Sequence, residues 1–173
     1  FCDAIVGVLA KLDGASGVPL WLVEDPAGYA FAVATFPDGD VVSLEGGAVR
    51  RRSGVNGNPV WQAGVAGTFA QWVAVDRPGD VIVVGAFGHL RKLDGDDGSL
   101  HWETKLQGFE EPVSRIHDVA VDRYGDVVVS GAVRGDDEDT FGPLTVLKFD
   151  ATDGREAWRW RPHDQEERPV QVA

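Results

Sequence analysis

Short β-branched runs set the pattern of this chain. Val41-Val-Ser-Leu44, Val81-Ile-Val-Val84 and Val127-Val-Val-Ser130 each follow a Gly-Asp pair, at Gly39-Asp40, Gly79-Asp80 and Gly125-Asp126. A turn leading into a β-branched run is the form of a hairpin entering a buried strand. Just before each turn lies another apolar segment, Tyr29 to Phe36, Phe69 to Asp76 and Ile116 to Asp122, so antiparallel pairs are predicted. The runs are too short for helices and glycine interrupts them repeatedly, which predicts essentially no α-helix.

A second pattern is anchored on Trp21, Trp61, Trp102 and Trp158. Ten places before each stands a basic residue (Lys11, Arg51, Lys92, Lys148), and four places before each a glycine (Gly17, Gly57, Gly98, Gly154). Eight places before stand Asp13, Ser53, Asp94 and Asp150, side chains that accept hydrogen bonds from turn N–H groups. Arg51-Arg-Ser-Gly54 is the most degenerate copy. Each unit therefore reads as four short strands. The repeat length of roughly 40 residues matches one blade of a β-propeller. The fold class expected is all-β, a β-propeller of four-stranded antiparallel blades.

The chain is out of phase with its repeat. Residues 1–23 supply half a blade, 27–61, 67–104 and 114–161 supply blades, and 169–173 reads as the first strand of another. About three and a half blades leave bare edges, since propellers close with ~4 to 8. Three readings stay open: a piece of a larger propeller, a four-bladed ring, or a half-ring closed by a second copy of the chain. The first residues read as the middle of a folded element, so a start further upstream is an expectation of this reading.

Two inserts widen the last interval, Gln107 to Ser114 and Arg134 to Pro143. Inserts of this kind map to blade-end loops, where binding specificity is usually built. The candidate partner contacts are Phe109, Glu110 and Glu111 in the first, and Arg134, Asp136, Asp137 and Phe141 in the second. Asp136, Asp137, Glu138 and Asp139 also form the densest carboxylate group, a candidate calcium site, because hard cations favour several oxygen ligands. Asp94-Gly-Asp-Asp-Gly98 does not keep helix-loop-helix calcium spacing and reads as a turn.

Val119-Ala-Val-Asp-Arg-Tyr-Gly-Asp-Val-Val-Val-Ser-Gly131 followed by Leu144-Thr-Val-Leu-Lys-Phe-Asp-Ala-Thr-Asp-Gly-Arg-Glu-Ala-Trp158 resembles one repeat of the bacterial β-propeller repeat proteins of the seven-bladed type. Asp94, Gly98 and Trp102 are also similar to the tryptophan-docking repeat of quinoprotein-like propellers. The resemblance implies a secreted, periplasmic or cell-surface bacterial protein, often a binding or assembly module, and the reading favoured over an enzyme is a non-enzymatic module that recognises a protein or glycan partner through its blade-end loops. Its alternative is part of a dehydrogenase using pyrroloquinoline quinone; the adjacent cysteines and Cys-x-x-Cys-His of such enzymes are missing from this sequence. The tryptophans are expected to pack between blades, with Trp72 and Trp160 outside that register.

Composition narrows the partners. A formal charge of −12 over 173 residues argues against nucleic acid, and no apolar run is long enough for a membrane span. Arg50-Arg-Arg52 is the only cationic cluster, read as a solvated edge or as a dock for an acidic partner. His89, His101, His117 and His163 have no metal-ligand spacing, and no catalytic constellation is legible.

Overall fold

The computed structural model describes residues 7–25, 30–65, 70–107, 109, 115–134 and 141–162. Its strands are β1 Gly7–Leu12, β2 Pro19–Asp25, β3 Ala30–Thr35, β4 Val41–Glu45, β5 Ala48–Arg52, β6 Pro59–Gly64, β7 Ala70–Val75, β8 Val81–Gly85, β9 His89–Leu93, β10 Leu100–Lys105, β11 Arg115–Val121, β12 Val127–Arg134, β13 Phe141–Phe149 and β14 Glu156–Trp160. They form one two-stranded sheet, β1-β2, and three four-stranded sheets in meander order, β3-β4-β5-β6, β7-β8-β9-β10 and β11-β12-β13-β14. All pairings are antiparallel. Among the described residues there is no α-helix, only a 3-10 turn at Ala86–Gly88. Among the same residues no helix is long and apolar enough to cross a membrane. The all-β propeller expectation holds. The segment 169–173 lies outside the described residues.

The uninterrupted apolar runs are explained by burial on two faces. Alternate residues of a strand point to opposite sides. On β8, Val81 and Val83 join a core shared with β3–β6, whereas Ile82 and Val84 join a second core shared with β11–β14. A strand sandwiched this way needs no polar alternation. The outer strands differ: β6 and β10 bury their tryptophan and leave most other positions exposed. A bulge recurs at one place in the first strand of each four-stranded sheet, between Ala30 and Ala32, Ala70 and Trp72, and Ile116 and Asp118.

Tryptophan fastens each sheet to the next. The indole N–H of Trp21 donates to the carbonyl of Gly54 (3.2 Å), that of Trp61 to Gly95 (2.7 Å), and that of Trp102 to Ala151 (3.1 Å). The ring lies against a glycine of the next sheet: a Cβ on Gly57, Gly98 or Gly154 would stand 2.9, 2.7 or 2.5 Å from the indole of Trp21, Trp61 or Trp102. Those glycines also have positive φ, closing the turn that ends the third strand. The expected packing of tryptophan between blades is thus observed in three copies. Trp158 is 46% exposed. Trp72 packs against the second core, while Trp160 is 37% exposed.

The glycine contact separates two costs. Gly98→Ala meets both the left-handed backbone and the Trp61 ring, and is expected to lower stability by about 2 to 4 kcal/mol. Gly17→Ala, at the same φ region but with nothing within 4 Å of the added Cβ, is expected to cost only about 1 to 2 kcal/mol. Denaturant midpoints of the two variants measure the difference.

Candidate functional site

In an antiparallel meander, the turn joining the first two strands and the turn joining the last two lie at the same end of a sheet. Here these are the Gly-Asp turn and the turn before tryptophan, and a basic side chain on the third strand pairs with the first of them. Lys92 Nζ lies 2.9 Å from Asp76 and 3.1 Å from Asp80 and donates to Ala151 O of the next sheet (3.3 Å). Lys148 repeats the pairing with Asp122 (2.8 Å) and Asp126 (2.9 Å). Lys11 donates to the carbonyls of Gly39 and Gly54. In the degenerate copy Phe36 stands where Asp76 and Asp122 stand, and the basic residue is Arg51. Its guanidinium lies 4.2 Å from the Phe36 ring centroid and bonds Asp38, Asp40 and Gly95 O. Arginine thus keeps ion pairs, with Asp38 and Asp40, and stacks on the ring that stands in place of the second aspartate. The aspartate of each Gly-Asp pair also accepts the backbone N–H of the neighbouring turn: Asp40 from Gly54, Asp80 from Gly95 and Asp126 from Ala151.

One copy carries something further. A pocket of about 280 Å³ between the second and third four-stranded sheets is lined by Asp80, Lys92, His101, Trp102, Ala151 and Thr152. His101 Nε2 stands 3.3 Å from Asp80 Oδ1 and 3.5 Å from Asp94 Oδ2. Asp80, Asp94 and His101 bring donor atoms within 4.8 Å of one another and are the described residues able to hold a metal together. Burial opposes the charge on Asp80, but Lys92, the Gly95 N–H and His101 outweigh it and hold its pKa below the usual carboxylate value. Lys92 is likewise opposed by burial, yet Asp76 and Asp80 raise its pKa. Asp76 Oδ2 is held by this ion pair and by no hydrogen bond.

The residues singled out in the sequence fare differently. Asp94 caps its turn as expected, accepting the N–H groups of Asp96 (2.8 Å) and Asp97 (3.2 Å). Phe109 is not a partner contact: it is 1% exposed and fills the core between β7–β10 and β11–β14, beside Leu106 and Gly88. Arg134 and Phe141 pair at the ends of β12 and β13. Glu110, Glu111, Asp136, Asp137, Glu138 and Asp139, and with them the calcium candidate, lie outside the described residues.

Neither reading of the arginine cluster survives, because β5 is an inner strand and its cations are spent internally. Arg52 is 8% exposed and bonds Glu45 and Gly57 O; Arg50 bonds Glu45 (2.7 Å) and Gln62. Ser43 Oγ adds a hydrogen bond to the same carboxylate. Burial alone would raise the Glu45 pKa, but hydrogen bonds from Arg52, Ser43 and Arg50 bring it down to about 2.

Comparison with known proteins places this geometry. The family of the outer membrane protein assembly factor BamB matches residues 38–172. The chain belongs to that family. Among solved structures it is similar to BamB from Moraxella catarrhalis, with a TM-score of 0.66 and 16% identity over 93% of this chain and 46% of that one. The Neurospora crassa Pan2 WD40 domain gives 0.69 and 13% over 90% of this chain and 47% of that one. A quinohemoprotein alcohol dehydrogenase from Pseudomonas putida gives 0.61 and 14% over 89% and 31%. No curated protein sequence matches significantly. At these identities the structures share the fold: a PQQ-like propeller repeat, as the resemblance implied. The chain spans about half the length of the BamB and Pan2 structures.

Glu45 makes stability depend on acid. Its pKa is lower folded than unfolded, so its contribution is complete above pH ~4.5 and disappears as pH falls toward 2, on the order of 3 kcal/mol in all. Glu45→Gln is expected to be less stable at neutral pH and to have a flatter profile across that window, read from denaturant midpoints against pH. Lys92→Met strands the buried Asp76 carboxylate and is expected to cost about 3 to 5 kcal/mol. Lys148→Met, whose partners Asp122 and Asp126 reach solvent, should lose less in the same assay.

Proposed function

We propose that this chain is part of a non-enzymatic propeller module that works outside the cytoplasm and binds a protein or glycan partner through its blade-end loops. Membership in the family of an outer membrane protein assembly factor carries this reading. The strand register adds support. Lys105 pairs with His89, Arg115 with Ala132, and Arg134 with Phe141, so the strand ends flanking both inserts fall at one end of the sheets. The Lys–Asp turns occupy the opposite end. The strand ends from which the two inserts leave thus lie away from the turn network.

The sibling hairpin between β4 and β5 is closed by Gly46-Gly47 alone, which gives a natural replacement. Substituting Gly-Gly for residues 135–140 is expected to leave the thermal unfolding profile close to wild type and to abolish cross-linking to envelope proteins or binding to a glycan array. Retention of all such binding by the shortened variant refutes the loop assignment.

A further inference from the structure

We propose that Asp80 Oδ1, Asp94 Oδ2 and His101 Nε2 form a three-ligand site for a divalent transition cation of the zinc class, at the turn end of β7–β10. The spacing of the donor atoms is the first argument. Ligands about 2.1 Å from a tetrahedral ion stand roughly 3.4 Å apart; the imidazole nitrogen lies 3.3 Å from one carboxylate oxygen and 3.5 Å from the other. All three donor atoms lie within 4.8 Å of one another, so small side-chain rotations suffice to close them on a cation.

The second argument is that both carboxylates are already oriented by their remaining contacts. Asp80 Oδ2 is held by Lys92 at 3.1 Å, and Asp94 Oδ1 accepts the N–H groups of Asp96 and Asp97. Outer contacts of this type fix ligand direction. The Gly95 N–H reaches Asp80 Oδ1 itself at 3.3 Å and leaves that oxygen further lone-pair capacity. Charge points the same way: Lys92 is shared by Asp76 and Asp80, and Asp94 adds a further carboxylate 3.5 Å from the imidazole, so negative charge is in excess where a cation would sit. The pocket bounded by Trp102, Ala151 and Thr152 gives room for a fourth ligand, a water molecule or a group of a bound partner.

The repeat supplies its own comparison. The sheet β11–β14 has the corresponding Asp126, Asp150 and Lys148 but Ala157 in place of the histidine, and β3–β6 has Asp40, Ser53 and Val60. Only the copy in β7–β10 adds an imidazole, the donor that favours zinc, copper or nickel over calcium or magnesium. His101 is also dispensable to the fold, since apolar residues serve at the same position in the siblings.

The test is calorimetric titration of the 173-residue chain with zinc chloride, beside calcium chloride, with the imidazole resonances followed by NMR. One zinc per chain at micromolar or tighter Kd is expected, with the His101 signal shifted and calcium far weaker. His101→Val and Asp94→Ser each install a sibling's residue, and each is expected to weaken zinc at least about tenfold. His89→Ala, which removes the imidazole beside Glu103, is expected to leave binding unchanged. Absence of zinc binding, wild-type affinity in His101→Val, or loss of binding in His89→Ala instead overturns the proposal. Should both sibling variants fail to fold, an unshifted His101 resonance in zinc-saturated wild type overturns it equally.

Discussion

A tryptophan ring held against a glycine of the next sheet sets the distance between neighbouring sheets, and most of the structure depends on that contact. The glycine cannot carry a side chain because the ring occupies the space of its Cβ, and the ring cannot leave without opening a gap between two cores. Each indole buries a large apolar area and satisfies its one donor on a carbonyl of the adjoining sheet. Apolar packing and polar satisfaction are met by the same residue, and three successive junctions are built alike.

Around this contact the polar groups of one sheet end are consumed by the scaffold. Lys92 and Arg51 join the Gly-Asp turn of their own sheet to a carbonyl of the next, and the aspartates of the Gly-Asp pairs serve both the cation and a backbone N–H of the second turn. The cations of β5 are thereby used internally, which is why Arg50, Arg51 and Arg52 offer no docking surface. The other sheet end carries the strand termini that flank the two inserts. Scaffold and variation are segregated by the up-and-down course of the strands.

The fold was legible because a propeller repeats its local chemistry. Gly-Asp turns, β-branched runs and the spacing from base to tryptophan recur in register, and each comparison between copies separated what holds the sheets from what is particular to one. The same comparison marked His101 as having no counterpart. It did not reveal the partners of His101: Asp80 lies on a different turn, 21 positions earlier in the chain, and only strand pairing brings the two turns together. Phe109 was misjudged because an insert was expected to project outward; after the Leu106 N–H bonds Gly88 O, the chain turns back and buries the ring.

The sequence by itself determined the strand content, the order of strands within each sheet and the residues that dock sheet to sheet, because these rest on periodicity and turn chemistry within about forty residues. Tertiary structure decided which charges are free. Arg52 with Glu45, and Asp80 with His101, are on paper merely polar residues separated in the chain. Burial, partner geometry and the approach of distant turns make the first pair a closed internal bridge and leave the second beside an accessible pocket. Those properties belong to the surroundings of a side chain, which exist only once the sheets have packed.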